Sequence, residues 1–234
     1  LLKKQRDAFA LTMFDNEIQF SSDAKSTSTH QKNLFFELEK ALGEAPIQSK
    51  TALQLVLCLV GILWLSEIVD YLITVDLDQF GIFPRRLDNL WGITVWAFLH
   101  GGFLHLIANT VPLAVMGFFV ALRGAKTFLL VSLMITLLAG LGVWIFGRPA
   151  YHIGASGLVF GYFGFLLGIA WYEKSVKAIF IAALTLFLYG GIVWGVLPND
   201  QFVSWEGHLA GLMAGLFSAK LMAKTKLTYQ QDVI

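Results

Sequence analysis

The sequence predicts an all-α polytopic membrane protein in which six transmembrane helices form one bundle. Of its 234 residues, 56% are hydrophobic and only 14% are charged, whereas a soluble domain carries about 25% charged residues. Several apolar runs also exceed the ~18 residues that indicate a membrane span. The net charge of +1 and the lack of a basic stripe argue against nucleic acid as a partner.

The predicted spans follow a polar N-terminal segment. Residues 1–50 are polar and mixed in charge, and we expect them to form a cytosolic tail or a small extra element. The membrane domain is predicted to cover 51–224, and 225–234 to form a cytosolic C-terminal tail. The six spans are predicted at 52–73, 102–121, 127–146, 154–172, 178–197 and 206–223.

The distribution of Lys and Arg predicts the orientation of the bundle. With the N-terminus inside, 14 of the 17 basic residues fall on the inner side, and only Arg85, Arg86 and Arg148 fall outside. Short cytoplasmic loops carry an excess of basic residues. We therefore expect both termini in the cytoplasm, with a bacterial inner membrane as the location.

Polar side chains lie near the start of every second span, which the predicted orientation places in the outer leaflet. Span two carries His105 and Asn109 in the stretch HLIAN. Span four carries Ser156 in GASG, and span six carries His208 in GHLAG. Because a helix rises only ~1.5 Å per residue, these four side chains should share one shallow layer.

Glycines indicate which of these helices pack closely. In span four they recur along one helical face, and in span six they are spaced by four residues. Small residues at such spacing let membrane helices approach closely, and the contact would bring the Ser156 hydroxyl within reach of the His208 imidazole. The glycines expected at this contact include Gly157, Gly161, Gly207 and Gly211.

This predicted arrangement has the logic of nucleophilic catalysis. A neutral imidazole can take the proton of a serine hydroxyl, so Ser156 is the candidate nucleophile and His208 the candidate base. Asn109 lies one turn after His105 on the same helical face. Both side chains can donate hydrogen bonds to a developing oxyanion. Because no acidic residue is expected near His208, we predict a Ser–His dyad.

Several of these residues also have a structural interpretation. A serine between glycines is typical of helix packing or of a helix cap, and Asn109 could bridge two helices. We expect His100 and His152 at the outer rim without a chemical role, and Glu206 at the surface. A small transporter with a polar path is the weaker alternative, since no ionisable groups continue deeper into the bundle.

The three motifs resemble those of the rhomboid intramembrane serine proteases. GASG is preceded by HLIAN and followed by GHLAGLMAG, and the resemblance covers residues 52–223. It implies a six-helix rhomboid-like bundle, embedded in the lipid bilayer, that acts as a serine endopeptidase. The expected substrates are single-span membrane proteins, cleaved in or near their transmembrane segments without a cofactor or a metal.

The resemblance implies the same roles for the serine, the base histidine and the two oxyanion residues. It adds that Gly154 shapes the loop before the serine. Phe160 stands where many members of the family carry a tyrosine that packs on the base histidine. The alternative within the family is a catalytically inactive relative that binds membrane helices. The sequence does not indicate the natural substrate or the oligomeric state.

Overall fold

The computed structural model describes residues 49–73, 75–198 and 203–232. The expected N-terminal tail or extra element therefore lies almost entirely outside the described residues. Within them the fold is helical, as predicted, and the sole bridge between extended residues joins Ile82 and His152. The long helices are α1 Ser49–Leu72, α2 Phe103–Ala121, α3 Ala125–Phe146, α4 Ser156–Glu173, α5 Val176–Tyr189 and α6 Trp205–Asp232.

The helices begin within three residues of the predicted spans, and their ends differ most in α5 and α6. Helix α4 begins at Ser156, two residues after the predicted start of span four. Helix α5 ends at Tyr189 and continues as a 3-10 segment, Gly190–Val196. Helix α6 continues to Asp232, so residues 225–232 of the predicted C-terminal tail are helical.

Four segments in the described part of the chain are long and apolar enough to cross a membrane. They are Ser49–Leu72, Phe103–Ala121, Ala125–Phe146 and Val176–Val196. Helices α4 and α6, predicted as spans four and six, are not among them. Helix α4 contains four glycines, Tyr162 and Glu173, which lower its mean hydropathy, and 12 of its 18 residues are buried. A helix enclosed by other helices needs little lipid-facing apolar surface.

Helix α4 is the centre of the bundle, and its most extensive contact is with α6. Two glycines of α6 lie directly against the α4 backbone. A Cβ atom added at Gly211 would overlap the carbonyl oxygen of Gly157, and one added at Gly215 would overlap that of Gly161. Further along, a Cβ atom added at Gly164 would lie 2.5 Å from the carbonyl oxygen of Leu212. The two helices therefore touch backbone to backbone, as small residues allow.

The other expected contact glycines face different neighbours. A Cβ atom at Gly157 would overlap the Trp96 ring, and one at Gly161 would overlap the Ile135 side chain. These two glycines thus contact α6 through their carbonyl oxygens. The space beside their Cα atoms is filled by Trp96 and Ile135. At Gly207 a Cβ atom would first meet Ser204, at 2.9 Å, so this glycine does not face α4 at its nearest contacts.

The connection between α1 and α2 folds back onto the loop that precedes α4. The Ile82 amide donates to the His152 carbonyl at 3.0 Å, and the His152 amide donates back to the Ile82 carbonyl at 2.8 Å. The Trp96 indole is buried and donates to the Thr136 carbonyl of α3 at 3.1 Å. These bonds tie the loop before Ser156 to the α1–α2 connection, and tie that connection to α3.

We expect Gly215→Ala to destabilise the protein by roughly 1–3 kcal/mol, since overpacking a tight contact has this cost. The matched control is Gly61→Ala in α1, where an added Cβ atom meets nothing within 4 Å. This control should leave the stability unchanged or slightly raised, because Ala favours helix over Gly. Thermal unfolding in detergent, followed by tryptophan fluorescence, measures both. Equal melting temperatures for the two variants would show that the α4–α6 contact is not tight.

Candidate active site

Ser156 is the first residue of α4, and the loop before it is held in an unusual conformation. Gly154 has a φ of +113°, which side chains disfavour and glycine accepts. A Cβ atom at Gly154 would also lie 2.7 Å from Cε1 of the His105 ring. Backbone angle and close approach both therefore require glycine at this position. The Gly154 amide donates to the Trp96 carbonyl at 3.0 Å, which ties the loop down directly before the serine.

His105 and Ser156 border the same small space. The position that a Cβ atom of Gly154 would occupy lies 2.9 Å from His105 Nε2 and 3.7 Å from Ser156 Oγ. The hydroxyl at the start of α4 and the imidazole on α2 are thus brought together across the missing side chain of Gly154. The sequence predicted that His105 and Ser156 share one layer, and in the structure both lie next to Gly154.

His208 is the fourth residue of α6 and is buried, with 8% of its surface exposed. Its Nδ1 lies 2.8 Å from the carbonyl oxygen of Gly195, in the 3-10 segment after α5. Because a carbonyl oxygen only accepts hydrogen bonds, we assign the proton to Nδ1. Nε2 is then left with a free lone pair, as a general base requires.

The His208 ring stacks on Phe160, with centroids 4.2 Å apart and planes inclined by 9°. Phe160 lies four residues after Ser156, one turn along the same face of α4. The stack therefore holds the imidazole beside the first turn of α4. A Cβ atom at Gly195 would lie 2.9 Å from the Phe160 ring and 3.2 Å from His208 Nδ1.

Among the described residues, no hydrogen bond joins the Ser156 hydroxyl to His208.

Asn109 lies one turn after His105 on α2 and has 7% of its surface exposed. Its side-chain nitrogen is buried and has no hydrogen-bond partner in the described part of the chain. A buried donor without a partner costs about 1–3 kcal/mol. An acceptor that entered this site would recover that cost, which is how an oxyanion donor should behave.

The structure corrects the placement of two histidines that were expected at the rim. His100 is 2% exposed and His152 is 1% exposed, so both are buried. His100 Nε2 accepts the Ala155 amide at 3.2 Å and so holds the residue directly before Ser156. His152 Nδ1 lies 2.6 Å from Ser204 Oγ, which links the loop before α4 to the loop before α6. Both histidines therefore help to hold the loop that leads into Ser156.

Glu206 was expected at the surface, and this prediction is wrong. It is 8% exposed, and its Oε1 lies 3.8 Å from Nε of Arg148. The same oxygen accepts the Arg148 backbone amide at 3.3 Å. Glu206 therefore joins the start of α6 to the loop before α4.

In the described residues, the one group of side chains that could hold a metal ion is Asp70, Asp76 and Asp78, which belong to a different part of the chain.

Residues 87–225 match the Rhomboid domain family. The chain belongs to the rhomboid family. Together with the four helices of membrane-spanning length and composition, this makes it an integral membrane protein. The uncharacterized protein Rv1337 of Mycobacterium tuberculosis is 41% identical to this rhomboid over 177 residues, which cover 72% of the chain and 74% of the relative.

Relatives in plants and in another bacterium carry the family name. RHOMBOID-like protein 4 of Arabidopsis thaliana is 32% identical over 137 residues, covering 55% of this rhomboid and 34% of the relative. The Rhomboid protease GluP of Bacillus subtilis is 28% identical over 142 residues, covering 58% of this chain and 27% of its own length. The resemblance stated from the three motifs is therefore confirmed at the level of the family.

Acid should destabilise this rhomboid through His100. Burial, with a smaller effect from His105, lowers the pKa of His100 to about 4, whereas an unperturbed histidine has a pKa of about 6.5. Between these values the unfolded chain binds more protons, so the stability falls as the pH drops through this window. At about pH 5 the cost from this one group is about 2 kcal/mol.

We expect His100→Gln to reduce this loss, because its side-chain oxygen can still accept the Ala155 amide but does not titrate. The measurement is the melting temperature of both proteins at about pH 8 and about pH 5. The melting temperature of the wild type should fall more on acidification than that of the variant. The variant should still lose some stability, because burial also lowers the pKa of His152. An equal loss in both proteins would contradict the neutral, buried role of His100.

Proposed function

We propose that this rhomboid is an active intramembrane serine endopeptidase in which Ser156 is the nucleophile and His208 the general base. The observation that carries the proposal is the arrangement of His208. The Gly195 carbonyl engages its Nδ1, and Phe160 stacks on its ring one turn from Ser156. The name of the B. subtilis relative, a rhomboid protease, supports the same activity.

In the proposed reaction, His208 Nε2 takes the proton of the Ser156 hydroxyl as Oγ attacks the carbonyl carbon of the scissile peptide. The hydroxyl and the imidazole approach hydrogen-bonding distance when substrate binds, since catalytic hydrogen bonds often tighten only in the complex. His208 then returns the proton to the leaving amine. A water molecule, activated by the same imidazole, hydrolyses the acyl-enzyme and restores Ser156.

We propose that three hydrogen-bond donors stabilise the negative charge of the tetrahedral intermediate. The Asn109 amide nitrogen is buried and has no partner among the described residues, and the His105 ring borders the space next to Ser156 Oγ. The Ser156 backbone amide lies in the first turn of α4, where amides have no partner within the helix. Preorganised donors of this kind need no reorganisation during the reaction.

The proposed dyad does without a third, acidic member. In a triad the acid fixes the tautomer and the orientation of the histidine. Here the Gly195 carbonyl fixes the tautomer, and the Phe160 ring fixes the plane of the imidazole. A neutral carbonyl avoids burying a further charge inside the membrane, which would be costly. Besides the water molecule that hydrolyses the acyl-enzyme, the proposed reaction uses side chains and backbone groups of the chain.

The proposed substrates are single-span membrane proteins, cleaved near the helix end that faces the outer leaflet. A peptide bond within a helix must unwind before its carbonyl can be attacked, so substrates with helix-breaking residues at that end are favoured. We further propose six spans with both termini in the cytoplasm, as the asymmetry of Lys and Arg indicates.

Replacing Ser156 by Ala, or His208 by Ala, should abolish both cleavage of a model membrane substrate and covalent labelling by a fluorophosphonate. The matched control is Ser218→Ala, because Ser218 is also buried and its hydroxyl only donates to the Ala214 carbonyl of its own helix. This control should cleave and label like the wild type. Normal cleavage by the Ser156 variant would refute the proposal, and a wild type that neither labels nor cleaves would point to an inactive, helix-binding rhomboid.

Asn109→Ala should lower kcat by about 10²–10³, the usual effect of removing one oxyanion donor. Its melting temperature should stay the same or rise, because the buried amide nitrogen has no hydrogen-bond partner to lose among the described residues. Kinetics on a model substrate and thermal unfolding of the same preparation separate the two effects. A kcat equal to that of the wild type would exclude Asn109 as an oxyanion donor, whereas a large fall in stability would assign it a structural role.

A further inference from the structure

Three carboxylates crowd together where α1 passes into the connection to α2. Asp70 lies in the last turn of α1, and Asp76 and Asp78 lie at the first 3-10 turn beyond it. One carboxylate oxygen of each lies within 4.8 Å of those of the other two. Three negative charges at such separations repel one another unless a positive charge is placed among them.

Backbone amides orient two of these carboxylates. Asp70 Oδ1 accepts the Leu77 amide at 2.6 Å, and Asp76 Oδ1 accepts the Asp78 amide at 2.9 Å. The third carboxylate is different, because Asp78 Oδ1 is buried and has no partner among the described residues. Burial, followed by the charges of Asp76, Asp70 and Glu67, raises the pKa of Asp78 to about 6.

A fourth carboxylate, that of Glu67, lies outside this group of three but close enough for its charge to act on Asp78. Glu67 is only 4% exposed, and its Oε2 is buried without a partner in the described part of the chain. It lies three residues before Asp70 on the same face of α1, and its charge acts on Asp78. A buried carboxylate oxygen without a donor is costly unless the group takes up a proton, is paired with a charge or coordinates a metal ion.

No basic side chain of the described residues supplies that cation. The ion pairs there join Arg86 to Asp88, Arg123 to Glu173 and Arg148 to Glu206, and none of them includes a member of this group. The four carboxylates offer oxygen ligands only, which hard cations prefer to nitrogen or sulfur.

We propose that Glu67, Asp70, Asp76 and Asp78 form a binding site for a divalent cation, and that the cation is Ca²⁺. Ca²⁺ binds about six to eight oxygen ligands in a flexible geometry. Water molecules and backbone carbonyls would therefore complete the coordination shell around the four carboxylates. Mg²⁺ keeps several of its waters and binds through one or two carboxylates, so a group of four fits it less well. The absence of sulfur and imidazole ligands disfavours Zn²⁺.

The site lies against the start of α2, which gives the cation a consequence. A Cβ atom at Gly101 would lie 3.4 Å from Asp78 Oδ2, and Glu67 faces the backbone amide of Gly102. Gly102 directly precedes α2, the helix that carries His105 and Asn109. A bound cation would tie the end of α1 and the connection to the start of this helix. Its effect on peptide cleavage rests on the proposed function, but its binding does not.

Terbium luminescence tests the site directly, because Tb³⁺ replaces Ca²⁺ at oxygen sites and is excited through nearby aromatic rings such as Tyr71. With the purified full chain in detergent, we expect saturable emission that Ca²⁺ displaces at about tenfold lower concentration than Mg²⁺. Asp78→Asn and Glu67→Gln should each weaken Tb³⁺ binding about tenfold or more. Asp76→Asn, at an exposed position, provides the same test if a buried variant fails to fold.

The matched control is Asp88→Asn, which removes an exposed carboxylate of the same connection that pairs with Arg86. It should bind Tb³⁺ like the wild type, and so should Ser156→Ala, which keeps the test independent of catalysis. Emission that does not saturate, or equal losses in the Asp78 and Asp88 variants, would overturn the proposal. A Ca²⁺-dependent rise in melting temperature that disappears in Asp78→Asn would support it further.

Discussion

The close approach of α4 and α6 is the constraint on which the rest of this structure depends. At Gly211 and Gly215 the backbone of α6 rests on carbonyl oxygens of α4, and the structure has no room for a Cβ atom at either position. Without hydrophobic driving force between helices in a membrane, such packing is a main source of association. The same contact determines how far the start of α6, with His208, lies from the start of α4, with Ser156.

The candidate site depends on this helix contact and on further contacts that hold its individual side chains. Phe160 and the Gly195 carbonyl fix the plane and the tautomer of His208, while Gly154 leaves room for His105 beside the serine. Some features of the site carry a cost in stability, notably the buried neutral His100 and the Asn109 amide nitrogen, which has no partner in the described part of the chain. Preorganised sites commonly contain such destabilising groups, since the donors must await a charge that forms only during reaction.

Much of this arrangement could be predicted from sequence, because the signals are local. Long apolar runs located the helices, and the polar residues near the starts of three of them located Ser156, His208, His105 and Asn109. The Gly195 carbonyl could not be found in this way, since every residue has a carbonyl and only the fold selects one. Hydropathy likewise could not show that His100, His152 and Glu206 are buried. A polar side chain prefers water, but it can be buried where hydrogen bonds within the protein replace those to water, and hydropathy does not describe such contacts. Glycine spacing indicated which helices touch, but not that Gly157 and Gly161 do so through their carbonyls.

The most direct measurement of how the helix contact controls the site is the rate at which a fluorophosphonate labels Ser156 as the side chain at position 211 is enlarged. Gly211→Ala and Gly211→Val vary the separation of α4 and α6 in steps and leave the proposed dyad, Ser156 and His208, unchanged. The same substitutions at Gly61 are the control. If that separation places His208 beside Ser156, labelling should slow progressively with side-chain size at position 211 in protein that is still folded, and should not change at position 61. Labelling at the wild-type rate by a folded Gly211→Val protein would contradict the link between helix packing and the reactivity of the serine.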